Sequence, residues 1–204
     1  MNERDEQESR PRSRKGEKFI ESSVDGPYQF NDQDSFPDAV ALTNGEVIVR
    51  ATIDELIDAM SALVFTEASF SVSQFGDFQL ALSDADQLFP LYERLMYDPN
   101  VRGLPWLLTH LWQIENNMQG IVGETIVAHA DIPVDQIHAG LPLQCENESA
   151  PRIDCFVVDY KSAIPVDIQI RKIIVVAPSV EACEVFAKTN CDFTVCCFVL
   201  QENQ

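Results

Sequence analysis

The stretch Phe78-Gln-Leu-Ala-Leu-Ser-Asp-Ala-Asp-Gln-Leu-Phe-Pro-Leu-Tyr-Glu-Arg-Leu95 decides the fold. Its first five residues form an apolar run of strand length, and Leu88, Leu91, Tyr92 and Leu95 recur at helical spacing immediately after it. Ser83, Asp84 and Asp86 stand between the two, residue types that open helices. A strand running straight into a helix is half of a βαβ unit, and the same alternation continues in both directions.

Upstream, Gly76-Asp77 reads as a turn, and before it Thr52 starts an amphipathic helix. Glu55 stands three residues on, as a capping box requires, and Ile53, Leu56, Ile57, Met60, Leu63 and Val64 mark the apolar face. Glu46-Val-Ile-Val-Arg50 is a short strand in front of it. Downstream, Trp106-Leu-Leu-Thr-His-Leu-Trp112 reads as a buried strand, and a helix through Ile121, Val122, Thr125, Ile126 and His129 ends before Pro133. A short extended piece at Gln136–Gly140 and a strong strand at Ile153–Val158 come next. The chain closes with strand Lys172–Ala177, helix Val180–Lys188 and strand Phe193–Leu200. Strands separated by helices of this length predict an α/β fold, a three-layer doubly wound domain with a mostly parallel sheet covered on both faces.

At 204 residues the chain suits one domain, placed at residues 39–204. Residues 1–38 are polar, rich in Ser, Pro, Gln and Asn, and predict a disordered polar tail. As an arm reaching a partner this tail is weakened by Glu3, Asp5, Glu6, Glu8 and Glu17, which nearly cancel its six Lys and Arg. Of the net charge of −19, the rest of the chain therefore carries about −20 (8 basic against 28 acidic residues). Such a surface repels phosphates and anionic lipid, which argues against nucleic acid and membranes as partners. The charged start Met1–Glu6 is unlike a secretory signal, and no apolar run approaches the ~20 residues of a membrane span. The six cysteines, 145, 155, 183, 191, 196 and 197, read as free, buried thiols of a cytoplasmic protein, without the paired spacing of a metal site. No metal and no cofactor is expected.

In parallel sheets ligands bind beyond the carboxyl ends of the strands. Ala81-Leu82-Ser83 with Leu91-Tyr92-x-x-Leu95, the run Trp106–Trp112, Asn116-Asn117, Ile132-Pro-x-x-Gln-Ile-His138 and Ile153-Asp154-x-x-Val-Val follow one another in an order that resembles the 6-phosphogluconolactonases and their relatives the glucosamine-6-phosphate isomerases. The resemblance covers about residues 46–160. It implies a sugar-phosphate site of the pentose phosphate pathway, with Ser83, Asn117 and Lys161 as ligand-binding candidates and Asp159 as the candidate catalytic acid.

The departures fall on the functional segments. Where the family has two glycines that let backbone N–H groups approach a phosphate, this chain has Asp84 and Ala85, with Asp86 beside them. As structural caps at a helix start these carboxylates are ordinary, but beside a phosphate they repel: at an effective dielectric of ~20, two charges 4 Å apart interact by about 4 kcal/mol. The family's acidic-basic loop after the second strand is reduced to Gln113-Ile-Glu115. Its Gly- and His-bearing segment is replaced by Asp159-Tyr-Lys-Ser-Ala-Ile-Pro165. His110, His129 and His138 read as structural, Ser83 lies on no Gly-x-Ser-x-Gly elbow, and Arg171-Lys172 reads as a solvated strand start.

Lactone opening needs a base and donors aimed at the developing oxyanion, and neither is visible. The sequence therefore predicts a lactonase-like pseudoenzyme that serves as a binding or assembly module. The alternative is an active sugar-phosphate lactonase or isomerase using relocated groups. Setting the resemblance aside leaves a scaffold that pairs with itself or a protein partner through exposed Phe193 and Phe198. A cleft at Ser83–Asp86 lined by Arg94, Arg102 or Lys161 would favour the enzyme, and an acidic surface there would oppose it.

Overall fold

A computed structural model describes residues 39–101, 103–115, 120–141, 152–165 and 167–201. The expectations for the tail 1–38, for Arg102, for Asn116 and Asn117 and for Cys145 lie outside the described residues.

Among the described residues eight strands form one sheet: β1 Ala39–Leu42, β2 Gly45–Arg50, β3 Phe78–Leu82, β4 Thr109–Gln113, β5 Ile137–Ala139, β6 Arg152–Asp159, β7 Gln169–Ala177 and β8 Val195–Leu200. They lie side by side in the order β1-β2-β8-β7-β6-β3-β4-β5, and all pairs are parallel except β1 with β2. The helices are α1 Ile53–Phe75, α2 Phe89–Tyr97 and α3 Val180–Thr189, with a helical stretch over 121–129 that contains the π-turn Gly123–Val127. This is the three-layer, mostly parallel α/β architecture the alternation predicted.

The caps explain the bounds of α1. The Thr52 hydroxyl accepts the Glu55 N–H at 3.2 Å and Glu55 accepts the Thr52 N–H at 3.2 Å. Gly76 ends the helix at φ +89°, where a side chain would be strained. By length and composition α1 could cross a membrane, which corrects the expectation that no segment approaches a span. Here it is the central core helix: Leu56, Ile57, Met60, Val64 and Ala68 pack with α2 and the 121–129 stretch over Leu80, Leu82, Leu111, Val157 and Phe198. On the opposite face α3 packs Cys183 and Phe186 against Phe156, Val158, Val175 and Cys197. The connection from β6 to β7 has no helix among its described residues, so this second face is covered more thinly.

Several expectations change. Trp106–Leu108 is a 3₁₀ turn after Pro105, with Leu107 and Leu108 exposed, and only Thr109–Gln113 joins the sheet. Phe198 is fully buried and Phe193 is half-buried against the second core cluster, so neither offers an exposed pairing surface. Cys155, Cys183, Cys196 and Cys197 are buried, but Cys191 is exposed, and these five are free thiols. Burial pushes Cys155 well up and Cys196 up to about 12.

Arg171 and Lys172 are not a solvated strand start. Both reach the carboxylate of Glu67 on α1 at 2.7 Å, and Arg171 also stands 3.6 Å from Asp154. Arg152 completes the cluster by pairing with Asp77 and with Asp154 at 2.7 Å. Burial works to lower the Lys172 pKa, yet the hydrogen bond and charge of Glu67 outweigh it and hold the value above the usual lysine range.

Candidate functional site

The carboxyl ends of β3, β4 and β6 bring Ser83, Glu115 and Asp159 to one side of the sheet. With Asp84, Ala85, Gln87, Lys161 and Ser162 they line an open cleft of about 400 Å³. Ser83 is held on every side: its N–H donates to Val157 O at 3.1 Å, its carbonyl accepts the Tyr92 hydroxyl at 2.5 Å, and its hydroxyl donates to Glu115 Oε1 at 2.7 Å. Burial pushes the Tyr92 phenol well above the usual tyrosine range, and Glu115 and Asp84 add to the shift. It stays protonated and donates.

Two backbone donors at the cleft, the Asp84 and Val122 N–H groups, are already engaged by carboxylates. Glu115 Oε2 accepts the Asp84 N–H at 2.9 Å. Asp84 does not cap α2, as its place before that helix suggested. Its Oδ1 accepts the Val122 N–H at 2.9 Å, at the start of the 121–129 stretch, and α2 has no side-chain cap. Gly120 makes this approach possible, because a Cβ there would fall onto the Asp84 carboxylate. The chain thus supplies its own anion at a helix N-terminus, where N–H groups and the dipole favour negative charge.

The sequence-predicted residues partly converge. Ser83, Asp159 and Lys161 do meet at the cleft. Asp159 is buried and its Oδ1 accepts the Lys161 N–H at 2.8 Å, an Asx-type turn that closes β6. Lys161 is exposed, its ammonium 5.3 Å from the Tyr160 ring centre. Arg94 sits elsewhere, paired with Asp54, Asp58 and Asp98. None of the three histidines lines the cleft. His110 Nδ1 is 3.1 Å from His138 Nε2, His138 stacks on Trp112 at 3.9 Å, and His129 stands beside Tyr97.

Sequence reasoning missed Glu115, Gly120 and the Tyr92 hydroxyl as parts of the site. Glu115 carried a usable signal, an acid two residues beyond the end of a central strand. The pairing of Asp84 with Gly120 and Val122 carried none, since it joins residues almost forty positions apart. Chemically, the Ser83–Glu115 contact is a hydroxyl held by a carboxylate. It lies beside N–H groups that are spent on carboxylates, so a tetrahedral oxyanion finds no free donor among them.

No protein-family model matches the chain. Among curated proteins it is similar to the human GDH/6PGL endoplasmic bifunctional protein, with 32% identity over 101 residues that span 45% of this chain and 12% of the human one. Among solved structures it is similar to the 6-phosphogluconolactonase of Thermotoga maritima, with a TM-score of 0.54 and 10% identity over 76% of this chain and 100% of that one. The 6-phosphogluconolactonase of Trypanosoma brucei gives a TM-score of 0.54 and 16% identity over 76% and 96%. Likeness at these identities establishes the fold.

Proposed function

From the premise that this chain has the 6-phosphogluconolactonase fold, we propose that it has lost lactone hydrolysis and acts as a binding or assembly module. The observation that carries this reading is the Asp84 carboxylate on the Val122 N–H, backed by Glu115 on the Asp84 N–H. Among the described residues, a sugar phosphate entering the cleft would meet Asp84, Glu115 and Asp159 against the single ammonium of Lys161. Repulsion of about 4 kcal/mol per close pair at an effective dielectric of ~20 outweighs one exposed lysine.

The working-enzyme alternative is favoured by one feature, the Ser83 hydroxyl held by Glu115 with Lys161 on the rim. The two readings separate on one assay. With 6-phosphogluconolactone the chain is expected to leave the rate of ring opening at its spontaneous value, and a protein-dependent acceleration overturns the proposal. Thermal unfolding in a panel of sugar phosphates gives the parallel test. A bound ligand at 100 times its Kd stabilises by about 2.7 kcal/mol, and no such rise is expected.

A further inference from the structure

Beside the acidic cleft runs a second, larger hollow of about 650 Å³, lined by Tyr160, Ile164, Ala182, Val185 and Phe186 with Glu181 at its side. It follows α3 on the thinly covered face of the sheet, where Val185 is 64% exposed. Lys161 and Ser162 line both hollows, so the apolar groove and the acidic cleft form one continuous surface. Its chemistry asks for an occupant with cationic side chains for Asp84, Glu115 and Asp159 and apolar side chains for the groove.

We propose that this surface receives residues Arg10–Ile20 of the same chain. That segment, Arg10-Pro-Arg-Ser-Arg-Lys-Gly-Glu-Lys-Phe-Ile20, sets five basic residues and one acid directly before an apolar pair. Against about −20 for the chain beyond residue 18 it is the one strongly cationic run. Reach permits the contact. β1 runs antiparallel to β2, with Ala39 opposite Ile48, so the chain enters the sheet from the carboxyl edge. From β1 to β6 is four strand spacings, roughly 19 Å, whereas the residues between Ile20 and Ala39 can span about 60 Å. Tethering raises the effective concentration, so a modest contact is enough to keep the segment in place. The proposal rests on the reading of the carboxyl edge as a binding surface.

Limited trypsin cleavage of the full chain, followed by mass spectrometry, tests it. Cuts after Arg12, Arg14, Lys15 and Lys18 are expected to be slow. They are expected to speed up about tenfold in Val185→Glu, whose side chain is already exposed, because cleavage tracks the population of the released segment. Phe19→Ser/Ile20→Ser is expected to release the segment equally from the other side, with the thermal midpoint unchanged. Equal cleavage rates in all three proteins overturn the proposal. Protection that grows with protein concentration alongside a doubled mass also overturns it, assigning the surface to a second copy. Neither result bears on lactone hydrolysis, so the two proposals fail separately.

Discussion

The two ends of the same sheet handle buried charge in opposite ways. At the amino ends of β6 and β7, Arg152, Arg171 and Lys172 meet Asp77, Asp154 and Glu67 in equal numbers beneath α1. At the carboxyl ends, Ser83, Glu115, Asp84 and Asp159 are satisfied by backbone N–H groups and one hydroxyl, with Lys161 the lone cation lining the cleft among the described residues. The amino end is a closed ionic cluster that locks a helix to the sheet. At the carboxyl end, carboxylates fill their own anion seats and leave the surface negative, so anions are turned away and cations drawn in.

The sharpest way to break this contrast is at Asp154, whose side chain is 0% exposed and accepts from Arg152 and from the Gln79 N–H at 2.9 Å. Asp154→Ala leaves the Gln79 N–H without its acceptor and Arg152 with Asp77 as its remaining carboxylate. Removing one member of such a buried pair costs about 3 kcal/mol, to be read as a lower urea midpoint at unchanged slope. A loss as small as that of a surface pair would mean that the amino end is as open as the carboxyl end.

The next effect is at the carboxyl end. Asp84→Ala removes the acceptor of the Val122 N–H and is expected to cost about 1 kcal/mol, the usual worth of a helix N-cap. It also vacates the seat. Inorganic phosphate, which is expected to leave the parent chain's thermal midpoint unchanged, is then expected to raise that of the variant. A variant indifferent to phosphate would show that Glu115 and Asp159 alone keep the edge closed.

What the sequence disclosed follows the same division. Local signals were readable: the Thr52/Glu55 box placed the start of α1, and the spacing of Leu88, Leu91, Tyr92 and Leu95 placed α2. Trp106–Leu108 misled because an apolar triplet after Pro105 has strand composition, yet its turn holds Leu107 and Leu108 in solvent. Both charged ends were only half visible. Arg171 and Lys172 looked solvated because Glu67 lies about a hundred positions away on another layer. Asp84 was legible as an obstacle to phosphate but was assigned to the wrong helix, since only the fold brings Gly120 beside it.

The smallest effect lies between the two ends, on β4 and β5. Burial, and then the neighbouring His110, holds His138 below the usual histidine value of 6.5, while Asp135 pulls weakly the other way. As pH falls through 6.5 the unfolded chain binds this proton before the folded one does. The contribution is therefore complete above 6.5 and is lost as pH falls through the lower folded-state value. Because the ring is partly solvated, the loss between pH 7 and pH 5 is roughly a few tenths of a kcal/mol. His138→Phe keeps a ring to stack on Trp112 and is expected to flatten that slope in urea titrations at the two pH values. A slope unchanged by the substitution would locate the acid sensitivity in the carboxylates instead, and so at one of the two ends of the sheet.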